Sequence, residues 1–433
     1  MKQKNILVLA LAILTLLATA CTKEDENMSQ TYNSSISVEN VLDSKPLVES
    51  GTFKNTGVSP LIMPGESASF QFSAAKGQYI SFATMYGWSN DLFFAPANPG
   101  LKVYQDNGNP IEGDVSSQVR LWDNGTRINQ APGMAVVHPG TPEITPKNIV
   151  EVKGTDDQGN TYADASLLMK LMLHYEGNST FTLTITNTSG GTSNPTPFSP
   201  GVWVISYIAG GNLLKPYSLY EAGKPSANGL TNIAEMGDNS ILGNYIAGQT
   251  GIFTPLSPVL VVIYSGIDNP IYKIGELDRG KGLKDLAQKG DANGLAAYLK
   301  TLNGVKQVYV LSEPTTNILL PKIGDQPGGR VTQQFSYATG DRLAIATMYG
   351  FSNDWFFASK DNGIDAAQKG DISSTLALYD DGTAINQFPG AGITQFNLAG
   401  TPLVESKAIE SVPNPNAFTT LPDISNIIKV TIN

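Results

Sequence analysis

The sequence predicts a mainly β protein, two antiparallel β-sandwich modules with short helices in the region that connects them. Three observations predict it. Charged residues are only 15% of the 433, against 43 glycines and 26 prolines, a composition that suits short strands joined by many turns. A block of the chain recurs almost unchanged in its second half. The runs flanking each block alternate apolar and polar residues with period two, which is strand periodicity.

The chain opens on Lys2 and Lys4, followed by a nearly unbroken apolar run over 6–17. That run is too short to cross a bilayer, which takes about 20 residues, and it reads as a signal peptide over 1–20. The run Leu17-Ala18-Thr19-Ala20-Cys21 resembles a bacterial lipobox. The resemblance implies a diacylglycerol on Cys21 and a lipidated tether over 21–35. Cys21 is the one cysteine in the sequence, so no disulfide forms within the chain. Lys23, Glu24, Asp25 and Glu26 follow, a run similar to those that direct lipoproteins to the outer face of the outer membrane. The expected location is therefore lipid-anchored at the outer membrane, on the cell surface. A net charge of −10 argues against nucleic acid, which needs a basic face, and is compatible with divalent cations.

The repeat comes next. Residues 83–95 read ATMYGWSNDLFFA and residues 346–358 read ATMYGFSNDWFFA, an offset of 263 from 83 to 346. Residues 113–133 (GDVSSQVRLWDNGTRINQAPG) match residues 370–390 (GDISSTLALYDDGTAINQFPG) at an offset of 257 from 113 to 370, so six residues are lost between the blocks. Length changes with both flanks kept are typical of a surface loop. Alternating runs at 67–72 and 79–82, and at 331–336 and 343–345, read as hairpin strands broken by Lys76-Gly77 and by Thr339-Gly340-Asp341. Each copy is expected to close on an alternating strand, 181–187 in one and 428–433 in the other.

A second repeat fills the middle. Gly229-Leu230, Ala234, Gly237-Asp238, Leu242, Tyr245 and Gly251 recur 53 residues on as Gly282-Leu283, Ala287, Gly290-Asp291, Leu295, Tyr298 and Gly304. Each follows an apolar run, 202–205 or 260–263. The unit is predicted to be a strand and two short helices, the second N-capped by Asp291. The expected division is a first module over 36–190, a linker over 191–200 and a second module over 201–433. The alternative assigns residues 201–254 to the first module.

The two blocks together with the GLxxIAEMGD stretch at 229–238 resemble the spondin N-terminal domain of animal matrix proteins and bacterial secreted proteins, over nearly everything from residue 36. The resemblance implies C2-like sandwiches, adhesion rather than catalysis, and calcium at one end of the sandwich. It places the metal at Asp91 and Asp123 in the first copy and at Asp354, Asp380 and Asp381 in the second. Calcium takes six to eight oxygens. Relatives carry an acid after the Gly-Thr of the second block, where this chain has Arg127 and Ala384, so the second copy is the better candidate. The same Asp and Asn residues are also turn formers in their own right.

Catalysis is not expected. The chain has two histidines, His138 and His174, and no nucleophile elbow, HExxH, P-loop or dinucleotide fingerprint. Trp88, Trp122 and Trp355 lie in or beside the repeated loops and are the candidate ligand-binding rings. The expected role is adhesion to, or recognition of, an extracellular protein or glycan, with the membrane touched only through the lipid. The alternative is a carbohydrate-binding accessory lipoprotein of a polysaccharide-uptake system.

Overall fold

Pairing of period-two runs gives four main antiparallel sheets, and the fold is mainly β. The structure is a computed structural model describing residues 30–134, 138–360, 362–392 and 400–433. The signal peptide and Cys21 lie outside the described residues.

The strands of the first half are β1 (Thr31–Asn40), β2 (Leu47–Phe53), β3 (Ser67–Ser73), β4 (Tyr79–Met85), β5 (Leu92–Pro96), β6 (Val119–Asp123), β7 (Met169–Gly177), β8 (Thr180–Asn187) and β9 (Gly201–Ser206). Helices α1 (Leu230–Met236) and α2 (Ser240–Gln249) follow. The second half has β10 (Val259–Tyr264), α3 (Leu283–Lys289), α4 (Asn293–Leu299), β11 (Val305–Leu311), β12 (Arg330–Ala338), β13 (Arg342–Met348), β14 (Trp355–Ser359), β15 (Leu376–Asp380) and β16 (Ile428–Ile432).

The larger sheet of the first half runs β2-β9-β4-β5-β6, and that of the second runs β11-β10-β13-β14-β15. The smaller sheets run β3-β8-β7 and β12-β1-β16, each ending on a short Gly-Asp strand at 113–114 or 370–371. Residues buried on both faces explain why β9 and β10 read as continuous apolar runs. The outer face of each large sheet is covered by its helix pair. Leu230, Ile233, Ala234 and Leu242 join one cluster, and Leu283, Leu286, Ala287 and Leu295 join the other. Gly229 and Gly282 make the helix pairs possible: at φ 96° and 104°, a Cβ on them would stand 2.7 and 2.4 Å from the backbone nitrogens of Leu242 and Leu295. Asp291 caps from one place outside the predicted position. The N-cap is Ala292, and Asp291 accepts from the Asn293 N–H at 3.0 Å.

Four expectations from sequence need correcting. Neither expected hairpin forms: β3 pairs with β8 while β4 pairs with β9 and β5, and β12 pairs with β1 while β13 pairs with β10 and β14. β1 begins at Thr31 and pairs with neither a tether nor the first module. It lies between β12, with Val38 opposite Val331, and β16, with Val38 opposite Val430. Residues 201–206 pair with β2 and β4 of the first module, and residues 230–249 cover its sheet, so the sheets follow the alternative that assigns 201–254 to the first module rather than a second module over 201–433. The closing strands also differ from the expected match. β16 pairs with 370–371 as β7 pairs with 113–114, so β16 is the counterpart of β7, and β1 that of β8. Alternation identifies a strand but leaves its partner to long-range register.

Both modules therefore share one cyclic order of elements. The first runs β2 to β9 and then α1, α2. The second runs β10, α3, α4 and β11 to β16, and is completed by β1 from the other end of the chain. Where the chain crosses, the two connecting segments lie side by side. The Lys45 N–H donates to the Ile252 carbonyl at 2.9 Å, and the Asn40 amide donates to the carbonyls of Thr254 and Leu319, both at 2.9 Å. Ile36 and Val38 of β1 are fully buried, each contributing on the order of 1.5–3 kcal/mol by leaving water.

Candidate functional site

The repeated SND and D-x-G-T motifs meet at one end of each large sheet. In the first copy the Ser89 hydroxyl donates to the Tyr86 carbonyl at 2.6 Å and accepts from the Leu92 N–H at 3.0 Å, closing the turn from β4 into β5. Ser352 does the same between β13 and β14. The turn places Asp91 against the loop after β6. Its Oδ2 accepts from the Thr126 N–H at 2.7 Å and the Arg127 N–H at 2.8 Å. Asp354 Oδ2 accepts from the Thr383 and Ala384 N–H groups at 2.7 and 2.8 Å. Asp123 and Asp380 turn the other way, accepting from the N–H of Gly125 at 2.7 Å and Gly382 at 2.8 Å and from Asn129 and Asn386. All four are spent at least in part on holding their own turns.

The copies diverge around Asp91 and Asp354. Arg127 Nη2 meets Glu235 Oε2 of α1 at 2.7 Å, and Glu235 Oε1 accepts from the Thr126 hydroxyl at 2.7 Å. The second copy has Ala384 for Arg127 and Gln288 for Glu235, and Gln288 Nε2 donates to the Thr383 hydroxyl at 2.9 Å. Asn124 of the first copy becomes Asp381, which is fully buried. The second copy thus holds three buried carboxylates, Asp354, Asp380 and Asp381, and Ala384 in place of the arginine; among the described residues no protein group meets the Oδ1 of Asp354 or of Asp381. Burial, then the charge of Asp278 and Asp354, pushes the Asp381 carboxyl up to about 8. Burial, then Asp380, pushes Asp354 up to about 7, against the hydrogen bonds from Thr383 and Ala384. Asp91 is likewise raised to about 7 by burial and by Asp123, and burial raises Asp123.

The fit to calcium differs between the copies. In the first, the Arg127 guanidinium brings its positive charge to Glu235 and Asp91, and the residues do not fit a metal. In the second, two orphaned carboxylate oxygens suit a cation in charge, but the side chains fall short of the six to eight oxygens that calcium takes. Among the described residues no three His, Cys, Asp or Glu side chains are gathered to hold an ion.

The aromatic candidates separate sharply. Trp88 is 38% exposed at the loop end of the first copy, and Met134, which follows the Gly133 whose N–H donates to the Trp88 carbonyl, is 66% exposed. Trp122 and Trp355 are 5% and 2% exposed. Trp122 packs on Tyr220 and donates its indole N–H to the Ala95 carbonyl at 3.2 Å, and Trp355 packs on Tyr349. Neither offers a ligand a face, because each starts or fills a strand whose neighbours cover it. A cleft of about 570 Å³ opens between 268–279 and Asn362, lined in part by Tyr272, which packs on Phe356 and Tyr379 of the repeated blocks. It is walled by charges already paired, Lys273 and Arg279 on Glu276.

Sequence reasoning missed Glu235 and Gln288. The signal was present in the helical repeat, where a polar residue at the same place interrupts an apolar helix face in both copies. Neither a protein-family model nor a curated protein matches the chain.

Proposed function

We propose that this chain is a lipid-anchored recognition protein of the bacterial cell surface, of the spondin N-terminal type, that binds an extracellular partner without transforming it. The observation that carries this reading is the free loop end of the first copy. Its buried polar side chains are committed to fixing the loops, and its exposed rings and thioether, Trp88 and Met134, stand outside them. A platform of fixed loops carrying apolar side chains recognises rather than reacts, since among the described residues no nucleophile and base are paired on it. Cys21 carries the lipid in this reading, and calcium is confined to Asp354 and Asp381 in the second copy. The test is binding by residues 22–433 to immobilised extracellular-matrix protein and to a glycan array, wild type beside Trp88→Ala. Binding to protein that Trp88→Ala removes supports the proposal. Binding to glycans alone transfers the chain to polysaccharide uptake, and turnover of any substrate overturns it.

A further inference from the structure

The two copies of the loop end have different fates. In the second copy Phe351, which holds the place of Trp88, is only 5% exposed. Its ring stacks on both Tyr207 and Phe253, with centroids at 5.7 and 5.5 Å, and those two rings are 5.7 Å apart, so the three form a triangle. Tyr207 follows β9 and belongs to the first module. It lies so close to Gly390 that a Cβ there would stand 2.1 Å from the tyrosine ring. Gln78, in the turn before β4, donates its amide to the Gly390 carbonyl at 2.8 Å, and Asn178 donates to the Asn386 carbonyl at 2.9 Å. The loop end of the second module is thus a seat for an aromatic ring flanked by side-chain amides, and the first module fills it.

The first copy builds the same seat. The Gly133 N–H donates to the Trp88 carbonyl at 3.2 Å, as Gly390 does to Phe351 at 2.8 Å, and the glycines share φ values of 82° and 92°. Among the described residues nothing stands within 4 Å of a Cβ built on Gly133. Gln130 is exposed where its counterpart Gln387 is 2% exposed.

A second copy of the chain does not supply the ring. The register of β9 and β10 on their neighbours makes Ser265 the counterpart of Tyr207, Lys306 that of Val48 and Asp341 that of Gln78. Asp341 is closed by Lys306 at 2.6 Å. Ser265 puts no ring at Tyr207's place, the Tyr32–Tyr337 pair of that end standing instead on β1 and β12, and the Asp341 carboxylate would face the Gly133 carbonyl with no hydrogen to donate.

We propose that Trp88, Gly133 and Met134 form a docking seat for an aromatic side chain, flanked by an amide donor, on a foreign polypeptide. This deepens the recognition reading and rests on it only for the partner's being extracellular. The seat is tested in two ways. The full chain from residue 22 is given the missing residues by S265Y, K306V and D341Q together, and its self-association is followed by sedimentation. Head-to-tail association of the triple variant at concentrations where wild type stays monomeric, lost again with Trp88→Ala, is the expected result. A triple variant with a wild-type melt that stays monomeric overturns the seat, and so does self-association of wild type itself. Should the triple variant not fold, the second measurement decides: saturation-transfer NMR on wild type with N-acetyl-tyrosinamide, N-acetyl-leucinamide and methyl glucoside. Transfer favouring the tyrosine and lost in Trp88→Ala supports the seat, whereas preference for the glucoside, or none, overturns it. Failure here leaves the matrix and glycan binding assays standing as a separate test of the recognition reading.

Discussion

Arg127 and Glu235 close the loop end of the first copy onto helix α1 at 2.7 Å, and both are replaced together in the second, by Ala384 and Gln288. The pair is largely buried, with 21% and 7% of the side chains exposed. Removing one partner of such a pair leaves a charge in low dielectric, whereas replacing both removes the cost. Arg127→Ala is therefore expected to destabilise the protein by about 2–4 kcal/mol. The double variant Arg127→Ala with Glu235→Gln, which installs the second copy's residues, recovers most of that loss. Urea midpoints of the three proteins check it.

Asp381 carries a pH dependence of stability. Its ordinary pKa of 3.8 rises to about 8 in the fold, so the native state holds a proton that the unfolded chain has released. Stability falls as pH rises between those values, and the full cost is present above pH 8. Asp381→Asn, the residue the first copy has, removes that cost. Its urea midpoint should exceed that of wild type increasingly from pH 6 to 9, reaching on the order of 1–3 kcal/mol. Millimolar calcium at pH 8 should raise the wild-type midpoint and leave the variant unmoved; an equal rise in both contradicts the assignment.

The crossing of the chain predicts a displaced effect. Ile36 is near the start of the sequence, yet Ile36→Ala should weaken the second module, at a cost of about 2–4 kcal/mol. Hydrogen exchange should speed up in β12 and β16, the neighbours of β1, while β3 and β8 keep their protection. Loss of protection in β3 and β8 instead would mean that β1 serves the first module.

The four tryptophans should divide three to one. Acrylamide reaches Trp88, and the rings of Trp122, Trp203 and Trp355, each at most 6% exposed, stay unquenched in the native state. Trp355→Ala should cost about 3–5 kcal/mol, and Trp88→Ala within about 0.5 kcal/mol.

Much of this fold could be read from residues. The strands within 67–85 and 330–348 follow from alternation, though not their partners, since the members of each expected hairpin enter different sheets, and the helices follow from the apolar face of Leu283, Leu286 and Ala287. The partner of β1 could not be read, because the alternation of Ile36 and Val38 is the same whichever sheet they enter. The site was legible as far as Asp91, Asp354 and their glycine turns. What separates the copies, the joint change of Arg127 with Glu235, joins residues 108 apart in sequence. The difference between Trp88 and Phe351 was invisible as well. Both lie in the same motif, and only the seat of Tyr207 against the second module covers one and leaves the other open.

A recognition face held outside the cell with Trp88 at its tip is open to reagents on intact bacteria, and cysteine labelling reads that exposure. Cys21 is the chain's one cysteine, and in this account its sulfur is blocked by lipid. Trp88→Cys and Trp355→Cys are each expressed in the full chain and exposed to a membrane-impermeant maleimide. Trp88→Cys is expected to be labelled on intact cells, and Trp355→Cys to react only after denaturation. Labelling of Trp88→Cys only once the outer membrane is opened would contradict it.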